Sequence, residues 1–267
     1  MTGVQTCALP IYGGLGLEAD AAEAAKWLLK AAEKGRTSSL AALGNLYAEG
    51  GPGLPKNAGE AAKWFRAAMD KGEEYAAYGL ARVYIDGGPG FKADAKKAAD
   101  LYRGLADKGE TAALTQLAEL YAGGGPGLPA DAKKAAAVYR EAADKGDEFA
   151  LGELLRLYRE GGPGLPPDAR KAVEMYRREA DAGDLHAMLE LGNLYLDGGA
   201  SLPKDGREAL KWYGKAADLG SVDAMWTVGM MHIEGNGVAK DPAKGTAWLV
   251  KAAESGGGDG ARYAYLL

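Results

Sequence analysis

The sequence predicts an all-α solenoid of antiparallel helix pairs with a 37-residue period, and three observations carry that prediction. Glycine recurs at Gly35, Gly72, Gly109, Gly146, Gly183 and Gly220, each 37 residues after the last, with a seventh at Gly256 one residue early. Between glycines, apolar residues fall at i, i+3, i+4 and i+7, the mark of one buried helix side. A Gly/Pro-rich run then interrupts that stripe, and an Asp or Asn follows at the same register every time: Asp20, Asn57, Asp94, Asp131, Asp168, Asp205 and Asp241. Self-similarity at this period marks stacked units, none of which can bury its apolar face alone.

The second repeat serves as the type for the others. Leu40, Leu43, Gly44 and Tyr47 form the stripe of a first helix, helix A, from about Thr37 to Glu49. Gly50-Gly51-Pro52-Gly53-Leu54-Pro55 stops it, because glycine tolerates positive φ and proline cannot donate to a helical ladder. Asn57 is an N-cap, with Glu60 three residues on to complete a capping box. Ala61, Trp64 and Ala68 then continue the buried side of helix B, and Gly72 closes it at C′ behind Lys71. In the last repeat Pro242 stands at N1, where its missing N–H costs nothing.

This register sets the domain layout. Residues 13–35 are a partial first repeat holding only helix B, and six full repeats follow at 36–72, 73–109, 110–146, 147–183, 184–220 and 221–256. Residues 257–267 begin a further helix. Residues 1–12 break the pattern: MTGVQTCALPI resembles a translated sequencing-library adapter, so this segment is expected to be non-native and the natural gene to begin upstream. Cys7, the one cysteine, falls within it, which leaves the repeats without disulfides, thiolate nucleophiles or cysteine metal sites.

Composition narrows the function classes. With 32 Lys and Arg against 37 Asp and Glu, the net charge of −5 offers no basic block for a nucleic-acid backbone, and no run of 18 apolar residues marks a membrane span. Neither a cofactor motif nor a metal-ligand spacing occurs. Internal comparison then separates core from variable positions. Tyr47, Tyr84, Tyr121, Tyr158, Tyr195 and His232 share one slot, and Trp64, Leu101, Val138, Met175, Trp212 and Trp248 another; both series read as packing between helices. A small residue, Gly44, Ala81, Ala118, Gly192 or Gly229, lets helix axes approach, with Leu155 departing in the fifth repeat. That repeat is expected either to splay or to use Gly152 instead.

The phrase LGNLYLDGGASLPKDGREALKWYGKAADLG, Leu191 to Gly220, resembles the Sel-one-like repeat (SLR) family, relatives of the tetratricopeptide repeats. The likeness spans Gly13 to Leu267 through the LGxxY of helix A, the glycine loop, the Asp cap, the helix-B aromatic and the AAxxG ending. It implies a right-handed α/α superhelix whose A helices line a concave groove that holds other proteins. The loop GGPGLP is longer than the family's GxG turn, and the cysteine pairs of the family's secreted branch are missing.

Under that geometry the variable helix-A slots face the groove. One reads Ala41, Tyr78, Thr115, Gly152, Leu189 and Trp226; the other reads Asn45, Arg82, Glu119, Arg156, Asn193 and Met230. Tyr75 and Phe149 lie one turn earlier. Asn45, Tyr75, Tyr78, Arg82, Glu119, Phe149, Arg156, Asn193 and Trp226 are therefore the candidate partner-binding residues, since aromatics and arginines dominate binding energy.

Catalysis has little to stand on. His186 and His232 lie in different repeats at different helical positions, with no nucleophile and orienting partner in view. Ser201-Leu202-Pro203-Lys204 matches the SxxK string of penicillin-recognising enzymes, but a nucleophilic serine must open a helix and Pro203 places this one in a loop. The expectation is thus a non-enzymatic scaffold for a peptide or partner protein, with a β-lactam-binding or hydrolytic protein and a cell-wall glycan binder as the alternatives.

Overall fold

The computed structural model describes residues 20–255. The expected adapter segment and the helix expected at 257–267 lie outside the described residues. Thirteen α-helices occur within them: α1 (Ala21–Glu33), α2 (Ser38–Glu49), α3 (Ala58–Asp70), α4 (Ala76–Asp86), α5 (Ala95–Asp107), α6 (Thr111–Gly123), α7 (Ala132–Ala143), α8 (Glu148–Glu160), α9 (Ala169–Asp181), α10 (Leu185–Asp197), α11 (Gly206–Asp218), α12 (Val222–Glu234) and α13 (Pro242–Ser255). Even-numbered elements are A helices and odd-numbered ones B helices. The described residues hold no strand, only isolated bridges inside loops such as Gly51 to Leu54 and Gly199 to Leu202.

Two compact units divide the chain after Leu151, within α8. In the first unit α2 packs on α3, α4 on α5 and α6 on α7 within repeats, and α1–α2, α3–α4 and α5–α6 join one repeat to the next. In the second unit α10–α11 and α12–α13 are the pairs within repeats, and α9–α10 and α11–α12 the junctions. These contacts join elements that are neighbours in sequence, and α2 also touches α4 of the next repeat, as repeat stacking requires.

Helix B supplies a small-residue ridge to these contacts. Ala24, Ala61, Ala98, Ala135, Ala172 and Ala209 occupy one register position and are all fully buried, so the opposing helix comes close at no cost in side-chain entropy. Leu43, Leu117, Leu154 and Leu191 fill the matching position of helix A and are equally inaccessible.

The caps follow the sequence closely. Asp20, Asn57, Asp94, Asp131, Asp205 and Asp241 each accept a backbone N–H from the first turn of their helix. The capping box expected at Asn57 is only half formed. Asn57 donates its own N–H to the Tyr47 carbonyl at 2.8 Å, so Glu60 is released to pair with Lys63. The same bond recurs at Asp94 to Tyr84, Asp131 to Tyr121, Asp168 to Tyr158, Asp205 to Tyr195 and Asp241 to His232, and it ties each helix-B start to the helix before it.

At the other end, Gly72 donates to Met69 O and Glu73 to Ala68 O, the paired bonds of a Schellman stop, with Gly72 at φ +87°. Arg36, Glu110, Asp147, Asp184 and Ser221 repeat the longer of these bonds. A β-carbon at Gly72 would meet nothing within 4 Å, so handedness of the backbone, not space, demands glycine there.

One packing expectation holds with an addition and one needs correction. The Trp64 slot packs between helices, with Val138 and Trp212 buried and Trp64 against the first core cluster, but the more enclosed ring of the second repeat is the next residue, Phe65; Tyr102, Tyr139 and Tyr213 repeat that burial in its register. The reason lies across the pair: a β-carbon at Gly44 would stand 2.6 Å from the Phe65 ring, and one at Gly192 would stand 2.7 Å from Tyr213. The small helix-A residue exists to seat that ring. In the fifth repeat Gly152 offers no replacement, since its β-carbon would meet nothing within 4 Å. Leu155 is itself buried there, and Tyr176, its opposing ring, is left half-exposed.

Candidate functional site: the helix-A face

The outward side of the A helices carries the variable residues. Asn45, Arg82, Glu119, Arg156 and Asn193 are exposed, Tyr78 and Trp226 half-buried, and Tyr75 and Phe149 exposed. Helical periodicity puts them there, because their neighbours at Leu43, Leu80, Leu117, Leu154 and Leu191 turn inward.

Between adjacent A helices this face is indented. In the first unit Asn45, Lys56, Arg82 and Asp86 rim a cleft of about 180 Å³ floored by Phe65 and Gly79. In the second unit Arg156, Arg159, Glu153 and Glu190 rim one of about 130 Å³ floored by Tyr176 and Leu155. Arg156 and Tyr176 stand three periods after Asn45 and Phe65, so the same joint between repeats opens the cleft in both units.

The structure thus brings Asn45 and Arg82 together and gives Arg156 a cleft of its own. Arg156 is held by Glu153 at 2.7 Å and Glu160 at 3.3 Å, and Arg82 lies 3.6 Å from Asp86. Tyr75 and Tyr78 form a stack, ring centroids 6.4 Å apart at 14°, and Tyr78 leans in turn on the buried Tyr102 at 5.9 Å. Burial raises the pKa of Tyr78 and Tyr102, with Glu110 adding to the effect at Tyr78. Glu119 accepts from Gln116, and Asn193 donates to Glu190 while accepting from the Tyr213 hydroxyl. Trp226 sits on α12. Thr115 is spoken for: its hydroxyl donates to Asp147 at 2.7 Å, and the Ala150 N–H, then that bond, lower the Asp147 pKa.

Sequence reading missed the ring slot of Phe65, Tyr102, Tyr139, Tyr176 and Tyr213, which floors the clefts. Its signal was the recurrence of an aromatic one residue after Trp64. Burial, reinforced by Glu190, pushes Tyr176 up to about 12, and burial with Asp197 does the same for Tyr213, so both phenols stay protonated donors.

The remaining candidates lie in separate places. Ser201 lies in a loop at φ +68°, the place that Gly53, Gly90, Gly127 and Gly164 hold elsewhere, and donates to Asp168 at 2.8 Å. That bond takes the cap of α9 away from its own helix and lowers the Asp168 pKa. Neither Ser201 nor Lys204 is on a helix, so the SxxK geometry is not met. His186 meets Tyr176 edge-on at 6.4 Å, and His232 is buried with Nδ1 unbonded.

The model for the Sel1 repeat matches seven segments, 11–35, 37–73, 74–110, 111–147, 148–184, 185–221 and 222–257. The chain belongs to the Sel1 repeat family. Among solved structures, this Sel1 repeat chain is similar to a protective antigen of uropathogenic Escherichia coli that displays an SLR fold, at 29% identity and a TM-score of 0.51, over 95% of this chain and 53% of that one. It spans about half the antigen's length. A Sel1 repeat protein from Oxalobacter formigenes is also 29% identical with a TM-score of 0.51, over 99% of this chain and 75% of that one. No functionally curated protein matches. In the Sel1 frame the recurring helix pairs and their caps are the family's scaffold, and no helix of the described residues is long and apolar enough to cross a membrane.

Proposed function

We propose that this Sel1 repeat protein is a non-catalytic scaffold that binds a peptide or partner protein along its helix-A face, through Asn45, Tyr75, Tyr78, Arg82, Glu119, Phe149, Arg156, Asn193 and Trp226. The observation that carries this reading is the recurring cleft between A helices, floored by a helix-B ring and rimmed by residues that differ from repeat to repeat. A constant floor with a variable rim is what a graded recognition surface needs. The helices that bear it are fixed by their own core, so binding does not first have to order them. Protein binding is common in the family, which supports the same conclusion.

The test is photo-crosslinking in a bacterial lysate. A benzophenone amino acid placed at Asn45 or Arg82 should give a discrete adduct, while the same group at Lys63 or Lys133 on helix B should give none. Adducts formed from the helix-B positions alone would reject the assignment.

A further inference from the structure

Three aromatic side chains are exposed among the described residues: Trp27 at 49%, Tyr75 at 70% and Phe149 at 57%. Trp27 is covered by its own cation, Lys30 Nζ lying 4.6 Å from the ring. Other rings are served likewise, with Lys63 over Trp64, Lys251 over Trp248, Lys97 over Tyr84 and Lys134 over Tyr121. Among the described residues, no Lys or Arg of the chain lies over Tyr75 or Phe149.

These two rings share one register position, two repeats apart, at the starts of α4 and α8 within residues 20–151. Tyr75 is also held in place. Its hydroxyl donates to Glu110 at 3.3 Å and its ring stacks on Tyr78. A side chain so fixed has given up rotamer freedom without burying its area, and a ligand that covers it would not pay that entropy again.

Charge identifies the kind of ligand. The helix-A stretches 36–49, 73–86, 110–123 and 147–151 carry eight carboxylates against only Arg36 and Arg82. The helix-B stretches 20–34, 56–71, 92–108 and 130–145 carry sixteen Lys and Arg against eleven carboxylates. Helix-A rings at Tyr84 and Tyr121 take their cations from helix B, Lys97 and Lys134, so Tyr75 and Phe149 are exposed rings on the acidic side that no such cation covers.

We propose that the edge formed by Tyr75 and Phe149 docks cationic side chains, arginine above all, of an extended segment of a partner protein. A guanidinium stacks on an aromatic face while its edge donates to carboxylate, and Glu110 beside Tyr75 and Glu148 beside Phe149 supply the acceptors. Two helix spacings of about 8–10 Å separate the rings, a span covered by roughly six extended residues at about 3.3 Å each. The ligand therefore presents two cations about six residues apart. The inference rests on the helix-A reading and adds the partner's charge and spacing.

A library of random dodecapeptides displayed on phage tests it, selected in parallel on the wild-type protein and on a Tyr75→Ala/Phe149→Ala variant. Both side chains are exposed, so the variant should melt as the wild type does. The expected winners bind the variant at least tenfold more weakly and carry two Arg or Lys about six residues apart. Synthesised winners should also lose threefold or more in affinity to Glu110→Gln/Glu148→Gln. Winners without cations that still fail on the double-alanine variant would overturn the charge assignment and leave the helix-A reading standing. Winners that bind both proteins equally, or no enrichment at all, would overturn the edge assignment, while crosslinking at Asn45 and Arg82 decides the helix-A reading separately.

Discussion

Tyr213 lies flat against a residue with no side chain, and the closeness of that approach sets the tolerance of the whole repeat. Gly192→Leu should cost about 1–3 kcal/mol by overpacking, read as a lowered Tm. A second readout is specific to the mechanism: a Tyr213 ring driven outward should react faster with a water-soluble tyrosine-nitrating reagent than the buried wild-type ring does. The fifth repeat shows that outcome already, since Leu155 occupies the seat and Tyr176 is only half-buried. His232 poses the opposite problem, a polar ring in a slot that five other repeats fill with tyrosine. Burial, then the Lys244 charge, lowers its pKa, with Asp241 opposing. The unfolded chain thus binds the extra proton, so stability is full above the unfolded value near 6.5 and falls as pH drops through it. The Tm should decline as pH falls below about 6.5, and His232→Tyr should remove the part of that decline due to this residue.

Single helices owe their ends to local chemistry. Asn57 accepts the Glu60 N–H at 3.0 Å, so Asn57→Ala should cost about 1 kcal/mol, with Asn57→Asp close to neutral in the same melting assay. Such features were legible in the sequence because a cap, a breaking glycine and a proline act over three or four residues. Bonds that close over longer distances were not. Nothing near Glu60 announces that the Tyr47 carbonyl accepts the Asn57 N–H a capping box would have used, because that bond depends on the loop folding back. Trp64 and Phe65 show a second limit. Neighbours on a helix point about 100° apart, and both are apolar, so periodicity alone could not choose which faces Gly44. Asp168 shows a third: Ser201, 33 residues away, draws it from its own helix.

At the scale of the molecule, the period and the pairing of helices were readable because each unit contacts only its neighbours in sequence. The candidate face was readable only as a list of variable positions. Its clefts and its preset Tyr75–Tyr78 stack depend on how one helix A meets the next, which no single repeat encodes. In the proposed function two roles separate: helix B holds the alanine ridge and the ring slot of Phe65, Tyr102, Tyr139 and Tyr213, and helix A carries the proposed partner-binding surface. Hydrogen–deuterium exchange of the protein with and without a bound, selected peptide tests that division most directly. Amides of the A helices α2, α4 and α6 in the first unit should exchange more slowly in the complex, while α3, α5 and α7 are unchanged. Slowing confined to the B helices, with the A helices unaffected, would contradict it.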